Sequence, residues 1–105
     1  MTNYSEYLPK NERPLITALL KEIISRGVSI TINNGEEYII TSDKLSELQP
    51  ELAGTGEDWI SFEGGCFYLI YNNGSDDDPM VVISDYSANP LCDEIYNRLS
   101  AKYGE

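Results

Sequence analysis

Residues 58–72, DWISFEGGCFYLIYN, read as two β-strands folded back on each other at Glu63-Gly64-Gly65. The flanks, DWISFE and CFYLIYN, carry the aromatic and branched residues that suit a pleated, half-buried surface, and the glycines between them punctuate the chain. Downstream, across NNGSDDD, the segment PMVVISDY (residues 79–86) is a further strand candidate. It is apolar without clean alternation, which predicts a central place in a sheet or partial cover on both faces.

Upstream, VSITINNGEEYIIT (residues 28–41) reads as a β-hairpin. A two-residue Asn34-Gly35 loop would pair Ile32 with Glu37 and split the apolar faces. A three-residue Asn33-Asn34-Gly35 loop instead sets Val28 opposite Ile40, Ile30 opposite Tyr38 and Ile32 opposite Glu36, keeping one face apolar. This second register is the expected one. Between the hairpins, SDKLSELQPEL predicts a short helix entered at Ser42 or Asp43 and ended near Pro50, followed by the loop AGTGED.

Helices close both ends. In RPLITALLKEIISRG, Leu15, Leu19, Ile23 and Ile16, Leu20, Ile24 recur at i, i+4; Pro14 suits the first turn and Gly27 the exit. In NPLCDEIYNRLSAKYG, Asn89 is the expected N-cap, Pro90 follows it, and Leu91, Ile95 and Leu99 form the core stripe. Residues 1–11, polar and holding Pro9, read as an extended arm. The order α-β-β-α-β-β-β-α describes a single α+β domain over residues 1–105, with an antiparallel sheet of about five strands and helices packed on one face.

A chain of 105 residues can bury roughly two thirds of its unfolded surface, enough to fold without metal or disulfide staples. Its 41% hydrophobic content and eight tyrosines argue against disorder despite a net charge of −11. No apolar run reaches the roughly 18–20 residues of a membrane span. MTNYSEYLPKNERP lacks a basic segment followed by an apolar core, so a cytoplasmic location is expected. Cys66 and Cys92 lie far apart in apolar contexts and read as reduced core residues. Histidine is absent, which removes the commonest general acid/base and metal ligand.

All seven basic residues fall at or before Lys44 or at or after Arg98, so the stretch from Leu45 to Asn97 is acidic without internal compensation. Direct binding to nucleic-acid phosphates or to an anionic membrane is disfavoured, and a protein partner with a basic surface is favoured. The plainer reading is that acidity keeps a small domain soluble. The acids assigned to partner contact are Glu57, Asp58, Glu63, Asp76, Asp77 and Asp78. Three adjacent aspartates repel one another, a cost that an ordinary turn could avoid with Ser or Asn. Asn-Gly and Asp-Pro are nonetheless ordinary turn formers, so a bare turn and an acidic partner-facing tip both stand. A calcium loop would need alternating oxygen ligands and a closing acid, and NNGSDDDPMVV supplies neither.

Trp59 is expected in the core; if exposed, it would anchor an interface inside an acidic rim. Glu36 and Glu37 flank the first hairpin turn and read as solvated. Tyr38, Tyr68, Tyr71 and Tyr86 are expected to be core or half-buried on strands, whereas Tyr4 and Tyr7 in the arm could dock on the sheet or on a second subunit. No nucleophile elbow, P-loop, dinucleotide fingerprint or zinc motif occurs, so no catalytic residue, cofactor or metal is expected.

In size, acidity, lack of catalytic motifs and acids at loop tips (Glu57, Asp58, Asp76, Asp77, Asp78), the chain resembles the small acidic α+β proteins of phages and mobile elements, including anti-restriction and anti-CRISPR inhibitors. The resemblance implies stoichiometric inhibition of a bacterial effector at its nucleic-acid groove, and it transfers no individual residue. The competing expectation is an accessory or immunity-type interaction domain, monomeric or homodimeric, that binds through apolar sheet surface and tyrosines.

Overall fold

Strand alternation decides which side of the sheet is covered. The computed structural model describes residues 8–71 and 79–103. Its five strands are β1 (Ile30–Asn33), β2 (Tyr38–Ser42), β3 (Glu57–Phe62), β4 (Gly65–Ile70) and β5 (Ile83–Tyr86). They form one antiparallel sheet in the order β2-β1-β3-β4-β5. Ile30, Ile32, Ile60, Phe67 and Leu69 point to one side and are fully buried. Their neighbours Thr31, Trp59, Ser61, Cys66, Tyr68 and Ile70 point to the other side and are only partly covered.

The buried side meets α1 (Arg13–Ile24), the single-turn α2 (Leu45–Leu48) and α3 (Pro90–Tyr103). In α1, Leu15, Ile16, Leu19, Leu20 and Ile23 form the buried face that the i, i+4 spacing predicts. The α3 stripe is Cys92, Ile95 and Leu99, with Leu91 only partly buried. Asn89 caps this helix by accepting the Cys92 N–H at 2.8 Å. Phe62, Phe67, Tyr86 and Tyr96 stack in sequence from the sheet to α3, with centroid separations of 6.2, 5.5 and 4.9 Å. No described helix is long and apolar enough to cross a membrane.

The α+β class, the antiparallel five-strand sheet and the one-sided helix layer agree with the sequence reading, but several local expectations need correction. The β1–β2 hairpin pairs Ile30 with Ser42 and Ile32 with Ile40, four residues out from the expected Ile30–Tyr38 register. Because four is even, the apolar face is unchanged. The longer loop is held by side chains: Asn33 Oδ1 accepts the Gly35 N–H at 2.7 Å, and Asn34 Oδ1 accepts those of Glu36 and Glu37 at 2.9 Å.

In the β3–β4 hairpin, Gly65 pairs with Phe62 and belongs to the strand, so the turn is Glu63-Gly64 alone. Counting Gly65 into the turn would set Trp59 opposite Leu69 and mix the faces, whereas the observed register sets Trp59 opposite Tyr68. Pro79–Val82 is a 3-10 turn that buries Met80 and Val82. The missing alternation in PMVVISDY thus came from a helical turn leading into an edge strand, β5, and not from a central strand. Residues 8–12 are likewise not an extended arm. Leu8 is buried, and Lys10–Glu12 form a 3-10 turn that runs into α1.

Gly65 lies close under α3: a Cβ there would stand 2.4 Å from Cys92 Sγ. Gly65→Ala is expected to lower unfolding free energy by about 1–3 kcal/mol through overpacking, and adding Cys92→Ala should recover part of that loss. Strict additivity of the two substitutions in denaturant titrations would contradict the contact.

Candidate functional site

The side of the sheet on which no described helix packs carries the site. Register places Tyr38, Asn33, Trp59, Tyr68 and Asp85 in one row across all five strands. A second row, Thr41, Thr31, Ser61 and Cys66, continues to Ser87, whose hydroxyl accepts the Cys66 N–H at 2.9 Å. At the other end of β3, Glu57 pairs with Ile70. The rows form an aromatic centre with hydroxyls on one side and a carboxylate on the other.

Trp59 and Tyr68 stack with centroids 4.3 Å apart and planes inclined by 17°. The Tyr68 hydroxyl donates to the Glu57 carboxylate, and this bond raises the phenol above its ordinary value. On the other side of the indole lies the β1–β2 turn. A Cβ on Gly35 would stand 2.7 Å from the Trp59 ring, and Gly35 adopts φ +91°. Only glycine satisfies both the backbone and the ring at this position. The turn holds the indole in place and brings Glu36 and Glu37, both exposed, to the rim. A shallow groove of about 230 Å³ runs beside the stacked pair, lined by Trp59, Cys66, Tyr68, Asp85, Tyr86 and Ser87.

The sequence-assigned acids separate in the fold. Glu57 stands on the open face. Asp58, next in sequence, points into the helix side and is 1% exposed, so it cannot contact a partner. Glu63 is exposed in the β3–β4 turn, about 20 Å along the strand from Glu57 at the usual rise per residue. Asp76, Asp77 and Asp78 lie outside the described residues, as do Tyr4 and Tyr7. Trp59 is on the open face and not in the core. Cys66 faces the groove while Cys92 is buried, and both are free thiols. Tyr38 is 54% exposed and Tyr71 only 5%. Asp85 and Tyr68 were missed as partners of Trp59; a two-residue Glu63-Gly64 turn is the signal that sets Trp59 opposite Tyr68.

Charge separates by layer. Lys10, Arg13, Lys21, Arg26, Lys44, Arg98 and Lys102 all lie in or beside helical segments, and no strand carries a basic residue. Two of them are tied within the helix layer, Arg26 to Glu22 at 3.2 Å and to Glu94 at 3.0 Å, and Arg98 to Glu22 at 3.1 Å. Acids occur on both layers, so it is the lack of cations that gives the sheet face its negative character. Among the described residues, no group of three or more His, Cys, Asp or Glu side chains is placed to hold a metal ion.

Asp58 does structural work. Its Oδ2 accepts the Ala53 N–H and the Tyr71 hydroxyl, each at 2.8 Å, which holds Ala53 in a left-handed conformation at φ 65°. Burial raises the Asp58 carboxyl above its ordinary 3.8, outweighing these two hydrogen bonds, which lower it. Burial also raises the Tyr71 phenol well above its usual value, with the Asp58 charge adding to the effect.

Since the fold favours protonated Asp58, its stabilising share is complete below the ordinary carboxylate value and is lost as pH rises through the raised one. Asp58→Asn keeps one oxygen able to accept both bonds. At neutral pH it should match or exceed the parent in thermal midpoint, with the difference closing as pH falls into the carboxylate range. Asp58→Ala removes the buried carboxylate that accepts from both groups and should cost roughly 2–4 kcal/mol. A parent–Asn difference independent of pH in paired melts would contradict this reading.

Comparison of the chain with protein-family models, with curated proteins and with solved structures returned no match; the face just described is therefore the basis for a functional reading.

Proposed function

We propose that this chain is a non-enzymatic cytoplasmic binding protein whose uncovered sheet face docks on a basic protein surface. The reading rests on one observation: among the described residues, a sheet face on which no helix packs, with a stacked Trp59–Tyr68 pair, acids at its rim and no basic residue on any strand. Aromatic anchors inside a charged rim are the usual composition of an interaction hot spot. With the resemblance to acidic mobile-element inhibitors, the partner is a bacterial defence effector, and the surface covered is its nucleic-acid groove. Inhibition is then competition for that groove, with association driven by long-range charge and slowed by salt.

A second reading has its own support. Tyr38 is 54% exposed on the edge strand β2, in the same row as Trp59, and Ile70 lies on the same face. An accessory or immunity-type domain, homodimeric or bound to a partner through this apolar surface, would use these residues with little dependence on salt.

Capture experiments with the immobilised protein separate the two. The parent should retain a bacterial protein at low ionic strength and release it at high ionic strength. A variant carrying Glu57→Gln and Asp85→Asn, both surface changes, should retain at least tenfold less with an unchanged thermal midpoint. Retention that neither salt nor the variant alters would overturn the charge-driven reading and favour the apolar one.

A further inference from the structure

We propose that the groove beside the Trp59–Tyr68 pair receives one arginine side chain of the basic partner; this rests on the face reading above and specifies its contact chemistry. Three features converge on a guanidinium. The aromatic pair lines an open groove, and a planar cation packs against aromatic rings better than a compact ammonium does. Asp85 is the cross-strand neighbour of Tyr68 and lines the same groove. One of its oxygens accepts the Tyr86 N–H at 2.8 Å, which orients the exposed carboxylate. Outside the groove's lining, Glu57 accepts from the Tyr68 hydroxyl, which places a second carboxylate next to the stacked pair.

The site is also prearranged. Gly35 lies so close to the indole that a Cβ there would stand 2.7 Å from the ring. Ser87 is bonded to the Cys66 backbone at the end of the groove. A preformed pocket of this kind spends little binding energy on ordering its own side chains. With no basic residue on any described strand, no cation of the face itself competes for the two carboxylates or repels an incoming one. The charge complement therefore favours a basic partner over a second copy of this acidic chain, whose own face would bring like charges together.

Trp59 is the only tryptophan in the chain, so its emission reports on the groove alone. The test is a fluorescence titration with three short Gly-Ser peptides that differ at two positions, carrying arginine, lysine or the neutral isostere citrulline. The arginine peptide should give a saturable change. Lysine should bind severalfold more weakly, and citrulline should give no saturable change. Asp85→Asn, which retains an acceptor for the Tyr86 N–H, should weaken arginine binding about tenfold. Equal responses to arginine and citrulline, or indifference to Asp85→Asn, would overturn the proposal. An emission change that follows protein concentration instead of peptide would assign the groove to a second copy and overturn it as well. If the peptides fail while capture still depends on the Glu57 and Asp85 carboxylates and on salt, the arginine anchor falls and the face reading survives. If capture is also independent of those residues, both fall.

Discussion

In β1, β3 and β4, one set of side chains is aliphatic or aromatic and fully buried, while the alternate set is Thr31, Trp59, Ser61, Cys66, Tyr68 and Ile70. That parity fixes how much apolar surface the helices must cover. Both long helices, α1 and α3, lie against the first set and against each other through Arg26, Glu22, Glu94 and Arg98. The apolar gain is on that side, where five strands and three helices share one core. The second set is left to water or to a partner. A five-stranded antiparallel sheet can tolerate this when the open face is sufficiently polar. Here the hydroxyl row satisfies that condition, but the aromatic row at its centre goes beyond what solubility requires.

The electrostatic asymmetry follows from the same division. Helix surfaces take the lysines and arginines, whose long side chains suit an exposed helical face, and strands take none. Acids are shared between the layers, and one of them, Asp58, is consumed inside the core to hold Ala53 and Tyr71. A protein can therefore be acidic in composition while its cations gather on the helix layer, leaving the described strands without a basic residue of their own. On the helix side, Glu22 and Glu94 already have partners.

Much of this was legible in the residues, and the failures have physical causes. The i, i+4 spacing of α1 and the Asn89-Pro90 start of α3 are local signals, and both helices formed where these placed them. Registers were less accessible. The β1–β2 loop is lengthened by Asn33 and Asn34 bonding to backbone N–H groups, and Gly65 belongs to β4, where it faces Cys92. Neither effect is visible in hydrophobic pattern. The site suffered from the same blindness. Glu57 and Asp58 look equivalent in a sequence, yet strand parity sends one to the surface and the other into the core. Tyr68 and Asp85 became visible beside Trp59 only once the cross-strand register was known.

The central claim is that the uncovered sheet face around Trp59 is open and electronegative, and ionic quenching of that single indole measures both properties at once. At low ionic strength, caesium should quench Trp59 severalfold more efficiently than iodide does, each taken relative to its quenching of a free tryptophan amide. Added inert salt should bring the two together as the field is screened. Equal relative quenching by the two ions at low ionic strength, or an indole that neither ion reaches, would contradict the account.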